Sequence, residues 1–225
     1  MSWSSGKDSA LALDVARRRL GLEVVGLLVT VNAEADRVAM HAVRRSLVEM
    51  QADRLGLPLH VVEIPSPCPN EIYEAAMAEA VDSALSRGVD RIVFGDLFLE
   101  DVRSYRQATL AGTGMEPVFP LWGWPTAELS RHMLEVGIRA VVTCVDPRQV
   151  PASSAGRFYD GQFLADLPSG ADPCGERGEF HTFVYHGPGF RAPIDVEVGE
   201  LVERDGFVFC DVRPARPDIV ASRGP

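Results

Sequence analysis

The segment Ser4–Ser9 (SSGKDS) has the residue types of a phosphate-binding turn. It opens an amphipathic helix, and the free N–H groups and dipole at a helix N-terminus attract anions. Gly6 lets the backbone approach a ligand closely, and Lys7 adds a compact positive charge. Lys7 is the only lysine among 22 basic residues. A functional need for lysine at this position would explain its presence, and so would chance. The Walker pattern GxxxxGK[ST] is absent, and Asp8 and Ser9 could equally cap the helix.

A second polar stretch follows the apolar run Ile92–Phe94. Gly95 and Asp96 come directly after this predicted strand, where ligand and metal residues of α/β sheets belong. We therefore take Asp96 as the first candidate for contact with magnesium or substrate. The charged residues that follow could also form a solvated helix start; they are Glu100, Asp101, Arg103 and Arg106.

A third stretch, GERGEFHT at residues 175–182, concentrates glycines, carboxylates and a histidine. The functional candidates in it are Gly175, Glu176, Gly178, Glu179, His181 and Thr182. The alternative is a tight turn before a strand, with both glutamates as ordinary surface acids and His181 alternating outward. In the functional interpretation too, we predict that Glu176 and Glu179 are exposed turn acids that folding does not require. The neighbouring Cys174 is interpreted as a packing residue.

The elements that must position these stretches alternate between strand and helix over the first 145 residues. Continuous apolar strands separated by long helices are typical of parallel strands covered on both faces. The pattern predicts a doubly wound α/β sheet, including a helix over 37–55 and a last strand over 140–145. Ligands bind beyond the carboxyl ends of such strands, where the three polar stretches fall. The first strand would have to precede Ser4, with only three residues for it, which suggests a start farther upstream.

After residue 146 glycine and proline become dense and strands dominate. Arg204-Asp205-Gly206 separates two strand-like runs and predicts a hairpin. We expect a domain at 1–146 that carries the phosphate-binding turn and a smaller α+β domain at 147–225. Asp146 and Arg157, at this junction, are further cleft candidates.

Bulk composition excludes several classes of protein. The net charge is −10 without a basic segment, which argues against a nucleic-acid partner. No apolar run is long enough to span a membrane, and no export signal precedes the first helix. Four scattered cysteines form neither a CxxC pair nor a zinc pattern, so we expect a cytoplasmic protein with reduced thiols.

The three stretches together resemble known signatures. SSGKDS is similar to the SGGxDS loop of the N-type ATP pyrophosphatases, or PP-loop enzymes, with Ser5 in place of the usual glycine. Gly95–Arg106 and Asp172–Phe183 resemble signatures of the diphthine–ammonia ligase family, although Gln107 stands where that family would have glutamate. Arg37, Met40 and His41 are similar to a further family segment, in which His41 could equally be a packing residue.

The resemblance implies ATP and Mg²⁺ as cofactors and ammonia as a substrate. A carboxylate on a protein or small molecule would be adenylated with release of pyrophosphate, and ammonia would displace AMP. The implied nucleotide residues are Ser4, Ser5, Gly6, Lys7, Asp8, Ser9, Leu28, Val29, Thr30 and Gly95. The implied catalytic residues are Lys7, Asp96, Glu176, Glu179 and His181. Magnesium would be held by Asp8 and Asp96. The implied substrate residues are Asp101, Arg103, Arg106, Gly175, Gly178 and Thr182.

Two other functions stay open at this point. A PP-loop enzyme that modifies tRNA would need a basic surface, and for thiolation a reactive cysteine pair. A non-catalytic ATP-binding module would leave GERGEFHT unexplained. The acceptor is likewise open, because a bacterial source would require an acceptor different from that of diphthamide synthesis. The state of oligomerisation, monomer or homo-oligomer, is also open.

Overall fold

The computed structural model describes residues 1–38 and 42–215. Its first half contains two pairs of parallel strands. The first pair is β1 (Leu27–Asn32) with β3 (Leu59–Ile64), and the second is β4 (Arg91–Val93) with β5 (Glu116–Val118).

Residues 1–3 are the short strand that joins the two pairs. Ser2 bridges Leu28 in parallel, and the N–H of Trp3 donates to the Leu28 carbonyl at 2.7 Å. On the other side, the N–H of Ser2 donates to the Val93 carbonyl at 2.9 Å. The strands therefore follow the order β3, β1, residues 1–3, β4 and β5. A strand before Ser4 is thus present, as the sequence predicted.

Helices cover both faces of this sheet, which confirms the doubly wound α/β prediction. They are α1 (Lys7–Arg18), α2 (Arg45–Leu55), α3 (Asn70–Ser86), α4 (Glu100–Leu110) and α5 (Thr126–Glu135). Leu11 of α1 lies in the main core with Val93. Val81 of α3 lies in a second cluster with Ile92. Because neighbouring residues of a strand point to opposite faces, the two clusters lie on opposite sides of β4.

The predicted helix over 37–55 is wrong in its first half. The segment β2 (Arg37–Val38) pairs antiparallel with the end of β1, and α2 begins at Arg45. Asp36 and Ala42 adopt left-handed φ angles of 49° and 54°, which a right-handed helix does not contain. Residues 39–41, among them the candidates Met40 and His41, lie outside the described part of the chain.

The second sheet is antiparallel and has the order β7, β6, β9, β8. Its strands are β6 (Arg139–Val145), β7 (Phe180–His186), β8 (Val196–Arg204) and β9 (Phe207–Pro214). The β8–β9 hairpin is confirmed, because Asp205 and Gly206 have the two positive φ angles, 53° and 80°, of a type I′ turn. A short helix, α6 (Gly161–Asp166), precedes β7.

Strand β6 is not the parallel strand that the sequence predicted. It pairs antiparallel with β7 and β9, because a continuous apolar run reports burial on both faces and not strand direction. β6 precedes residue 146 yet lies in the second sheet, and the division at 146 stays a prediction. Within the described residues, no helix combines the length and apolar character that a membrane span requires.

Candidate active site at the junction of the two sheets

The Ser4–Ser9 loop connects the first strand to α1 and is fixed mainly through Ser5. Ser5 has a left-handed φ of 69°, and its carbonyl accepts hydrogen bonds from the Val184 N–H at 2.9 Å and the Gln51 amide at 3.0 Å. The same Gln51 amide also binds the Val184 carbonyl, and its oxygen accepts from the Trp3 indole. The loop is therefore held by both halves of the chain, through a buried glutamine that sequence analysis missed.

Two glycines allow neighbouring backbone to pack closely against the start of α1. A Cβ on Gly6 would lie 3.2 Å from the Thr182 carbonyl, and a Cβ on Gly95 would lie 2.9 Å from the Ser9 nitrogen. Within the described part of the chain, no acceptor takes the Ser9 N–H. The carboxyl end of β4 thus meets a helix N-terminus with an available donor, which is the arrangement that binds phosphate.

The ammonium group of Lys7 is enclosed by protein groups. The side chain is 1% exposed, and its Nζ donates to Asp8 Oδ2 at 2.9 Å and to the Cys174 carbonyl. The rings of Tyr159 and Phe180 lie 5.6 and 5.3 Å from Nζ. Burial acts to lower the pKa of Lys7, but the combined effects of Asp8, Cys174 and Glu176 outweigh it, so the pKa is raised and the group stays charged. Lys7 thereby ties the loop to the second half of the chain.

The buried carboxylate of Glu179 holds the backbone of the GERGEFHT turn in place. It is 1% exposed, and its two carboxylate oxygens accept from the N–H groups of Asp172 and Arg177, both at 2.9 Å. The prediction that Glu179 is an exposed acid dispensable for folding is therefore wrong. Gly175 has a φ of 69°, and a Cβ there would lie 2.7 Å from the Phe180 carbonyl. Both residues shape the turn that presents Glu176.

Glu176 connects this turn to the loop after β4. Its Oε1 accepts from the N–H groups of Leu97 at 2.7 Å and Phe98 at 3.4 Å. Burial raises the pKa of Glu176 to about 7, and the nearby carboxylates of Asp8 and Asp96 act in the same direction, while the Leu97 N–H opposes them. Glu176 is thus a carboxyl group that can gain or lose a proton near neutral pH.

The last two residues of GERGEFHT, His181 and Thr182, lie on strand β7. This strand packs against the Ser4–Ser9 loop, which we call the phosphate turn. Thr182 Oγ1 accepts from the Lys7 N–H at 3.2 Å. His181 lies opposite Cys144, and burial, assisted by the charge of Lys7, lowers its pKa to about 4. At neutral pH the imidazole is uncharged, so it can serve as a donor or acceptor but not as a cation.

Asp96 and Arg106 form a two-bond ion pair beside this junction. The guanidinium donates to the Asp96 oxygens at 2.5 and 3.0 Å and lies 4.3 Å from the centre of the Phe94 ring. Among residues 1–38 and 42–215, no three His, Cys, Asp or Glu side chains converge on a common metal site. Mg²⁺ commonly takes only one or two carboxylates, with phosphates and water as its other ligands. Asp8 and Asp96 have suitable oxygens, but each is bound to a cation in this structure, so a magnesium ion there would have to displace Lys7 or Arg106.

The remaining predicted site residues differ in burial and in the elements that hold them. Val29 is buried in the main core, whereas Leu28 and Thr30 are half-buried, and Leu28 packs against the second cluster. Gly178 ends a turn that begins at Gly175, and Asp101 is an exposed residue in the first turn of α4.

The two junction candidates are engaged outside the site. The Asp146 carboxylate binds Arg148, and Arg157 binds the exposed Asp166. Hydrogen bonds from Arg148 lower the pKa of Asp146 to about 2. Neither side chain therefore faces the loop at Ser4–Ser9 through a described contact.

Comparison with known proteins agrees with this two-part construction. Residues 1–117 match the family model described as the diphthamide synthase N-terminal domain, and residues 125–215 match that of the C-terminal domain. A relative in Homo sapiens, named diphthine–ammonia ligase, is 23% identical over 194 residues, which cover 80% of this chain and 73% of the human protein. The chain therefore belongs to the diphthamide synthase family.

Proposed function

We propose that this protein is an ATP-dependent ligase that converts a carboxylate into an amide with ammonia. The observation that carries the proposal is the contact of Glu176 with the loop after β4. This contact holds a carboxyl group of the second half against the loop that follows Gly95, and Gly95 packs against the start of α1. A nucleotide-binding module alone would not need such a group. The human relative is named for a reaction of this class.

In the first step, an oxygen of the acceptor carboxylate attacks the α-phosphorus of ATP. The bond between the α-phosphorus and the bridging oxygen breaks, and pyrophosphate leaves. Ser9 N–H, the α1 dipole and the serine hydroxyls stabilise the negative charge on the phosphates. Magnesium, held by Asp8 and Asp96, would further neutralise that charge.

In the second step, the nitrogen of ammonia attacks the acyl carbon and AMP leaves. The nitrogen must lose one proton as the amide forms. Glu176 is assigned as the proton acceptor, because its pKa of about 7 lets it take a proton near neutral pH and return it to solvent. Neutral His181 is assigned to orienting the amine, whereas Lys7 and Glu179 act by holding the loops in place.

The buried thiols weigh against tRNA thiolation. Burial raises the pKa of Cys144 to about 12 and also raises the pKa of Cys174. Thiols of this kind are poor nucleophiles at neutral pH.

Product analysis tests the proposal. The purified protein is incubated with MgATP, ammonium and fractions containing candidate carboxylate acceptors, and nucleotides are separated by ion exchange. We expect AMP and pyrophosphate, with product formation dependent on ammonium. Formation of ADP and phosphate, or ammonium-independent AMP, would contradict an amide-forming ligase.

A further inference from the structure

A stack of rings and guanidinium groups lies beyond the carboxyl ends of β4 and β5. The guanidinium carbon of Arg103 is 5.3 Å from the Phe119 ring centre and 4.5 Å from that of Trp122. Phe119 in turn stacks on Phe94 at 5.5 Å, directly before Gly95. We call Arg103 with its two rings, Phe119 and Trp122, the Arg103 clamp. The clamp fixes the plane of the guanidinium while leaving the edge of that plane for hydrogen bonds.

The positive charge of Arg103 is not compensated within the described residues. Arg106, one turn farther along α4, is neutralised by Asp96, but the guanidinium of Arg103 forms neither an ion pair nor a hydrogen bond in the described part of the chain. Its Nε is buried without an acceptor. A cation that is rigid, partly buried and unpaired is unfavourable in the free protein and is suited to binding an anion.

The phosphate turn needs such a cation from elsewhere. Its own lysine is buried and paired with Asp8, so Lys7 presents no ammonium group to a ligand. Asp8 and Asp96 are already paired with Lys7 and Arg106, so neither ion pair brings net positive charge to the turn. A polyphosphate bound at the Ser9 N–H would therefore need positive charge from another residue to offset its own.

We propose that Arg103 binds the β- and γ-phosphates of ATP, which leave together as pyrophosphate. This inference rests on the proposed function, because it names the part of ATP that the clamp recognises. The planar guanidinium can donate two parallel hydrogen bonds to phosphate oxygens, which an ammonium cannot do. Holding these oxygens stabilises the leaving group as its charge develops.

Equilibrium binding to the full chain tests the inference with three probes: the magnesium complex of α,β-methylene ATP, inorganic pyrophosphate with Mg²⁺, and AMP. The variants are Arg103→Gln and Arg103→Lys. The matched control is Arg19→Gln, because Arg19 also lies over a ring, Trp124 at 5.0 Å, but at the opposite end of α1 from the phosphate turn. Circular dichroism and thermal melting verify that each variant is folded.

We expect Arg103→Gln to weaken binding of the ATP analogue and pyrophosphate by about 10-fold to 100-fold and to leave AMP affinity unchanged. Arg103→Lys should lie between Gln and wild type, and Arg19→Gln should match wild type. Equal loss for AMP, or equal affinity of wild type and both Arg103 variants for pyrophosphate, would overturn the inference. If the wild type binds the ATP analogue and Arg103→Gln binds it equally well, the clamp serves another anion, such as the acceptor carboxylate, and only the inference fails. Failure of the wild type to bind the ATP analogue would instead refute the proposed function, and the inference with it.

Discussion

Replacement of Lys7 by methionine separates the two roles that a lysine in this loop can have. Methionine keeps the length and apolar stem but removes the ammonium group. In the structure that group binds Asp8 and the Cys174 carbonyl inside a cage of two aromatic rings. The substitution therefore leaves a carboxylate and a buried carbonyl without their donor. It removes no group that the structure leaves accessible to a ligand, because Lys7 is 1% exposed.

The expected loss of stability follows from these contacts. Removing one partner of a buried ion pair typically costs about 3–5 kcal/mol. The Asp8 side chain keeps 26% of its exposure, so water compensates part of that loss. We expect Lys7→Met to lower the free energy of unfolding by about 2–3 kcal/mol. Asp8→Asn in the same chain removes the stranded charge, so the double variant should recover about 1–2 kcal/mol relative to additivity.

Urea unfolding and calorimetric titration with a magnesium ATP analogue provide the test. Because the ammonium group is buried and paired with Asp8, we expect its loss to change nucleotide affinity by less than about tenfold. Lys7→Arg should also lose stability, since the wider guanidinium does not fit the closed cage. A Lys7→Met variant with wild-type stability and an affinity lowered by more than about 100-fold would show that Lys7 contacts phosphate directly, and would refute the reasoning.

Three further predictions concern the second half of the site. The pKa of Glu176 is raised to about 7 on folding, so the native state binds a proton more tightly than the unfolded state, and this contribution to stability is lost as pH rises from about 4.5 to 7. Glu176→Gln should remove about 1–2 kcal/mol of this pH-dependent change in the free energy of unfolding, after allowance for partial exposure, and should abolish turnover. An unchanged pH dependence of unfolding would refute the assignment. The pKa of His181 is lowered to about 4, so its contribution to stability is present above pH 6.5 and is lost on acidification towards pH 4. His181→Gln should therefore flatten the dependence of the free energy of unfolding on pH in this range. NMR detection of a charged His181 imidazole at pH 6 would contradict the lowered pKa. Glu179→Gln should destabilise the protein by about 1–3 kcal/mol, because one of its two backbone N–H partners loses its acceptor, and a melting temperature equal to that of Glu176→Gln would disprove the structural role of Glu179.

The sequence predicted the parts of the fold that depend on local pattern. The apolar runs of β1, β3 and β4 and the Asp-Gly turn between β8 and β9 were sufficient to predict the doubly wound sheet and the hairpin. The direction of β6 was not predictable, because burial on both faces looks the same in parallel and antiparallel strands. The late start of α2 at Arg45 was missed because residues 37–44 contain no glycine or proline to signal a break.

The site was predictable as a set of stretches but not as a set of contacts. Spacing placed Gly95 and the phosphate turn at the same edge of the sheet, and the structure brings them together. The inward orientation of Lys7 depends on Tyr159 and on the Cys174 carbonyl, which lie more than 150 positions away along the chain and carry no local signal. Likewise, a single motif contains an internal glutamate, Glu179, and a docking glutamate, Glu176, that only tertiary contacts distinguish.

Hydrogen exchange with mass spectrometry tests most directly whether both halves of the chain build one nucleotide site. Exchange is compared with and without the magnesium complex of α,β-methylene ATP. We expect slower exchange in two separate segments, the turn at residues 4–9 and the GERGEFHT stretch at 175–182. The peptide over β8 and β9 serves as an internal control. Protection of the turn alone, with unchanged exchange at 175–182, would contradict a site shared by the two halves.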